Sequence, residues 1–146
     1  MKTHRSRIIA PILFCLFSGQ SLAEWQCSEE DYEILKNTEC FTDSHTGFAG
    51  TVPDHVEAYR CLLSQVDAQE QLIKLQLEGS KPAQLYAMIA LRELVPGYYQ
   101  QKLEQYLSDN TNMEAIEGCI VGNATVSSLF KQIDNGERVL KHYLER

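Results

Sequence analysis

Cysteine, histidine and carboxylate are the side chains in this chain that could do chemistry, and their spacing narrows what that chemistry is. Cysteines stand at Cys15, Cys27, Cys40, Cys61 and Cys119, and the last four are separated by 12, 20 and 57 residues. A zinc site brings cysteines in close pairs such as C-x2-C, and a thioredoxin-type centre needs C-x-x-C. Neither occurs. A Cys–His nucleophile would draw on His45, His55 or His142, and no local signature joins them to a cysteine. In Glu114–Val126, EAIEGCIVGNATV, two glycines bracket Cys119. Glu114 and Glu117 precede that cysteine at helical spacing, but the glycines argue against a helix that would pair them as acid and base. The segment 41–55, FTDSHTGFAGTVPDH, holds Asp43, His45, Asp54 and His55. Those types suit a metal or a small active site, yet their spacing is diagnostic of neither, and a polar surface loop accounts for them.

The remaining carboxylates read plainly. Glu29, Glu30 and Asp31 follow Ser28, as a capped helix start does. A calcium loop would alternate acids around a glycine, and none is present. H-E-x-x-H, G-x-S-x-G, the P-loop and G-x-G-x-x-G are all missing. The sequence therefore predicts no catalytic residue, no metal and no cofactor, and the chain is not expected to be an enzyme.

The N-terminus, MKTHRSRIIAPILFCLFSGQSLAEW, sets a basic segment before an apolar run from Ile8 to Phe17, then small residues at Ser21 and Ala23. This is the layout of a secretory leader, with residues 1–23 removed and residues 24–146 left as one domain. The run is about half the ~20 residues that span a bilayer, so no stable membrane span is expected after cleavage. Removing the leader takes away Lys2, Arg5 and Arg7 and no acid, so the net charge moves from −7 to −10. Nucleic acid and anionic lipid are poor partners for such a chain, and a basic protein is a better one.

Export changes how the cysteines read. Cys15 leaves with the leader, and an even set of four in an oxidising compartment predicts two disulfides. Three pairings are possible. Cys27–Cys40 is the least attractive, because a helix between them would hold the two roughly 20 Å apart, against the ~7 Å a bridge allows. Cys119 is expected to be one end of a structural bridge.

The elements follow from periodicity and punctuation. Residues 28–40 read as a capped helix and 41–53 as a loop. Asp54 starts a helix with Val56, Tyr59, Leu63 and Val66 on one face. The next runs to Gly79, taken as its C′ residue. Ser80 caps another, with Pro82 in its first turn and Leu85–Leu91 wholly apolar, which predicts burial on all sides. Pro96 begins a helix whose stripe is Tyr99, Leu103, Tyr106 and Leu107, leaving Tyr98 off the stripe. Val126, Leu129, Phe130 and Ile133 mark one more, and 137–146 a short last one. The expectation is all-α: six or seven short antiparallel helices, with at most a short extended segment near 115–121. Asn123-Ala124-Thr125 is a glycosylation sequon, relevant only in a eukaryotic source.

Residues 81–107, KPAQLYAMIALRELVPGYYQQKLEQYL, resemble a HEAT-like antiparallel helix pair. QLYAMIAL followed by EGCIV is similar to small exported bacterial proteins, over about Val56 to Val121. That resemblance implies a helical exported domain and brings no activity, cofactor or site residue with it.

The reading that follows is a periplasmic or secreted helical protein-interaction module, in one version an immunity-type inhibitor of a basic envelope-acting protein. Exposed loop residues Asp43, His45, Asp54 and Tyr98 are its candidate contacts. A small envelope enzyme using the 41–55 loop, or a structural envelope protein without a discrete ligand, are the alternatives.

Overall fold

The computed structural model describes residues 27–145. The expected leader, residues 1–23, lies outside them. In chain order the elements are α1 (Glu29–Lys36), β1 (Cys40–Thr42), α2 (Asp54–Leu63), α3 (Ala68–Glu78), α4 (Lys81–Leu94), α5 (Pro96–Leu107), β2 (Asn112–Glu117), β3 (Ile120–Thr125), α6 (Val126–Asp134) and α7 (Leu140–Leu144).

The helices form where sequence spacing places them. Ser28 and Asp31 close a reciprocal capping box at α1, and the Ser80 hydroxyl accepts the Ala83 N–H at α4. From Pro82 to Leu91 every α4 residue except Gln84 is buried, so α4 is the axis of the core. Around it pack Val56, Tyr59 and Leu62 of α2, Leu72 and Leu75 of α3, Tyr99 and Tyr106 of α5, and Phe130 and Ile133 of α6. Each such side chain stabilises the fold by about 1.5–3 kcal/mol through burial. Two details depart from expectation. The α2 helix ends at Leu63, so Val66 falls outside its stripe and is fully exposed. Gly79 keeps an ordinary φ of −74°; it is required because a Cβ there would lie 2.6 Å from the Leu75 carbonyl oxygen and 2.8 Å from the Ala83 Cβ.

The all-α expectation is overturned by a three-stranded mixed sheet of order β1-β2-β3. The β1 strand pairs parallel to β2, with Cys40 opposite Glu114 and Thr42 opposite Ile116. The β2 and β3 strands form an antiparallel hairpin closed by the pair Glu117–Ile120. The reason is local. A Gly-X pair is a two-residue hairpin turn, and Gly118 supplies the positive φ of +57° that its first position needs. The partner for 115–121 is thus the very next segment. The β1 strand has three residues and finds its partner some seventy residues away, so it carries no periodicity to read.

The outer edge of β1 is sealed by side chains. The Thr42 N–H donates to the Tyr86 hydroxyl at 2.8 Å, and its carbonyl accepts from Tyr143 at 3.1 Å. Tyr59, Tyr86 and Tyr143 pack as a triad with ring centres 5.3–5.7 Å apart. Burial pushes the Tyr143 phenol up to about 12.

The two-disulfide expectation is corrected as well. Cys27 and Cys61 are bridged, with Cα atoms 5.6 Å apart, tying the entry of α1 to α2. Cys40 and Cys119 are free, the second exposed. Strand geometry keeps them apart: Cys40 lies opposite Glu114, and Cys119 sits five residues further along at the hairpin tip, roughly 16 Å away at ~3.3 Å per residue.

Candidate functional site

Loop 43–51 and the β2–β3 turn meet at one end of the sheet. Within the loop, Thr46 and Thr51 exchange backbone hydrogen bonds of 2.8 and 2.9 Å. Gly47 and Gly50 adopt positive φ of +72° and +64°, which closes a tight turn. Phe48 stands at its tip with its side chain fully exposed. The Gly47 N–H donates to the Gly118 carbonyl at 2.9 Å, so the loop tip is fastened to the hairpin turn.

Asp43 and Arg138 fix this junction from below. One Asp43 carboxylate oxygen accepts the Gly118 N–H at 3.0 Å, and the other accepts from Arg138. Arg138 also donates to Glu117 at 2.7 Å and to Gln132 at 2.7 Å, and its guanidinium lies 5.1 Å over the Phe41 ring. The arginine is buried, at 8% exposure. A buried guanidinium needs such partners, because an unpaired one would carry a large desolvation cost. Its three acceptors come from the 43–51 loop, the hairpin and α6, so one side chain welds three elements together.

Exposed apolar side chains flank this clamp. Phe48 and Cys119 each sit one residue from the Gly47–Gly118 hydrogen bond, and Ile120 and Val121, at 74% and 62% exposure, follow on opposite faces of β3. Elsewhere Val66, between α2 and α3, and Leu77 of α3 are also exposed.

A second concavity, of about 450 Å³, opens between α1, α2 and α3 beside the Cys27–Cys61 bridge. Tyr32, Ala58 and Leu62 line it, with acids Glu29, Asp31, Glu33 and Asp67 against one cation, Lys74. Cys27, Asp31 and Cys61 bring ligand-type atoms within 4.8 Å of one another here, but the two sulfurs are bonded to each other and present no thiolate. Among the described residues that is the group of metal-ligand types; it includes none of the 41–55 residues.

The four candidate contacts do not form one surface. Asp43 is at the platform as its clamp. His45 is beside it, half-buried, with Nδ1 3.1 Å from the Ser44 hydroxyl. Asp54 is exposed at the first turn of α2, where it complements the helix dipole. Tyr98 lies on α5; its hydroxyl donates to Gln76 at 2.6 Å, and Gln76 in turn donates to the Tyr106 hydroxyl. That ties the half-buried Tyr98 hydroxyl into a polar chain that runs inward through Gln76 to Tyr106. His55 is drawn inward, its Nε2 3.0 Å from the Thr42 hydroxyl and its ring 5.6 Å from Tyr86, and burial lowers its pKa. The residues missed were Phe48, Ile120, Val121 and Arg138. The legible signal was G-F-A-G, an aromatic residue between turn-forming glycines, where burial is not on offer.

No protein-family model, curated protein or solved structure matches the chain.

Proposed function

We propose that this protein is a binding module that acts outside the cytoplasm and docks a partner protein on the loop–hairpin platform. The observation that carries this reading is Phe48, wholly exposed on a turn that is held rigid by the Gly47–Gly118 and Asp43–Arg138 contacts. Exposing an aromatic ring to water forgoes about 1.5–3 kcal/mol, and a preorganised anchor of this kind returns it on binding. The leader-like N-terminus and the Cys27–Cys61 bridge support export. The acidic balance, −7 for the full chain and −10 without Lys2, Arg5 and Arg7, favours a basic partner, as an inhibitor of a cationic envelope protein would meet.

A photo-crosslinking residue placed at Phe48 or Ile120, and at the exposed Leu77 of α3 as control, tests the proposal in cells of the source. The expected result is one basic adduct from positions 48 and 120 and none from 77. Equal labelling from all three positions, or none from the first two, refutes it.

A further inference from the structure

Resting on that reading of the platform, we infer that its partner binds by adding an extended strand to the free edge of β3, and that this strand alternates apolar and basic residues. The hairpin closes on the hydrogen-bonded pair Glu117–Ile120, so Ile120, Gly122 and Ala124 turn their N–H and C=O groups to β2. Val121 and Asn123 turn theirs outward, where they find no hydrogen-bond partner among the described residues. The parallel side is consistent: the Ile116 carbonyl, opposite Val121, points to β1 and accepts the Asp43 N–H. The strand reads IVGNAT, with no charge, no proline and no bulge to protect the edge. The sheet's other edge is closed by tyrosines, so β3 is where a strand can join.

Side chains on the two faces set the pattern. On the inner face a notch of about 170 Å³ lies over Gly122, walled by Ala115, Ile120 and Leu129. A Cβ built on Gly122 would meet nothing within 4 Å, so the space is real. A residue added opposite Gly122 would direct its side chain into that notch, and an apolar one fits. On the outer face Asn123 is paired to the exposed Glu114. A residue opposite Asn123 stands two strand spacings from Glu114, about 10 Å, which a lysine or arginine stem spans. Glu117, by contrast, is already paired to Arg138. A second copy of this chain is a worse occupant, since its own β3, IVGNAT, would bring no cation opposite Glu114.

The probe is a capped hexapeptide alternating valine and lysine, added to the oxidised 24–146 protein and followed by residue-resolved amide exchange and titration. Slowed exchange at Val121 and Asn123 is expected. N-methylating the peptide on its facing edge should weaken binding about tenfold or more, Glu114→Lys about two- to fivefold, and Gly122→Leu, whose Cβ meets open space and whose side chain would occupy the notch, about tenfold or more. Responses confined to the Phe48 loop, with Val121 and Asn123 unprotected, would overturn strand addition and leave the platform standing. Equal binding of a valine–glutamate peptide overturns the charge pattern. Concentration-dependent protection without peptide makes the occupant a second copy and overturns the partner assignment. Failure of the Phe48 crosslink together with absence of any peptide response would remove both readings.

Discussion

Reducing the Cys27–Cys61 bridge tests the disulfide assignment and the packing of α1 at once. Cys27 and Cys61 are 34 residues apart in sequence. For a closed loop of that length the chain-entropy relation gives about 13 cal/mol/K, or about 4 kcal/mol at 25 °C. The bridge also holds Ser28 and the capping box in place, so α1 should fray first when it is cut. For a domain of this size the loss lowers the melting temperature by on the order of 15 °C. The assay is urea unfolding of the 24–146 protein, oxidised and reduced, beside a Cys27→Ala/Cys61→Ala variant. The variant should match the reduced protein, and adding reductant to it should change nothing. The unfolded oxidised protein should titrate two thiols, Cys40 and Cys119. A further loss when the variant is reduced, or a thiol count of zero, would show a second bridge and refute the strand geometry that separates those cysteines. An oxidised–reduced difference below about 1 kcal/mol would refute the entropy argument.

Arg138→Ala should cost about 2–3 kcal/mol in urea unfolding; three charge-assisted hydrogen bonds are lost, but the Asp43 and Glu117 side chains are 42% and 57% exposed and regain water. The same variant should speed amide exchange at Gly47 and Gly118, and unchanged exchange there would show that Arg138 does not hold the platform. Gly79→Ala forces a Cβ against the Leu75 carbonyl and Ala83, and should destabilise by about 1–3 kcal/mol by thermal melt, with no loss contradicting that close approach. His55 is held below its ordinary 6.5 by burial, so its neutral form is the one the fold accepts. Its stabilising contribution is present above about pH 6.5 and is lost as pH falls through the folded value. A His55→Gln variant should flatten that part of the stability–pH curve, and an unaltered curve would place the acid sensitivity elsewhere.

The helical part of the fold was legible because each helix carries its own signals. Ser80 and Pro82 mark the start of α4, the run Leu85–Leu91 its burial, and Tyr99 and Tyr106 the inward face of α5. The sheet was not, because its information is non-local. Nothing near Cys40 says that it lies beside Glu114, and nothing near Thr42 says that the hydroxyls of Tyr86 and Tyr143 serve its backbone. Counting cysteines implied two bridges, but whether two thiols can meet depends on strand register, which the count does not contain. Likewise Asp43 was readable as a polar loop residue of interest. Its role depends on Arg138, ninety-five residues later, which no local pattern links to it.

The tyrosine hydroxyls that stand in for a missing strand beside β1 limit how this protein can assemble. Open-ended polymerisation through a sheet requires a donor margin and an acceptor margin on every subunit, and here one margin is permanently occupied from within. Association through the remaining one must stop after a single event, so complexes built this way have fixed stoichiometry. Replacing Tyr86 and Tyr143 by phenylalanine would leave the Thr42 amide and carbonyl without those hydroxyls in the dry interior; stability would fall, but the margin would stay closed because Thr42 remains buried beneath the rings.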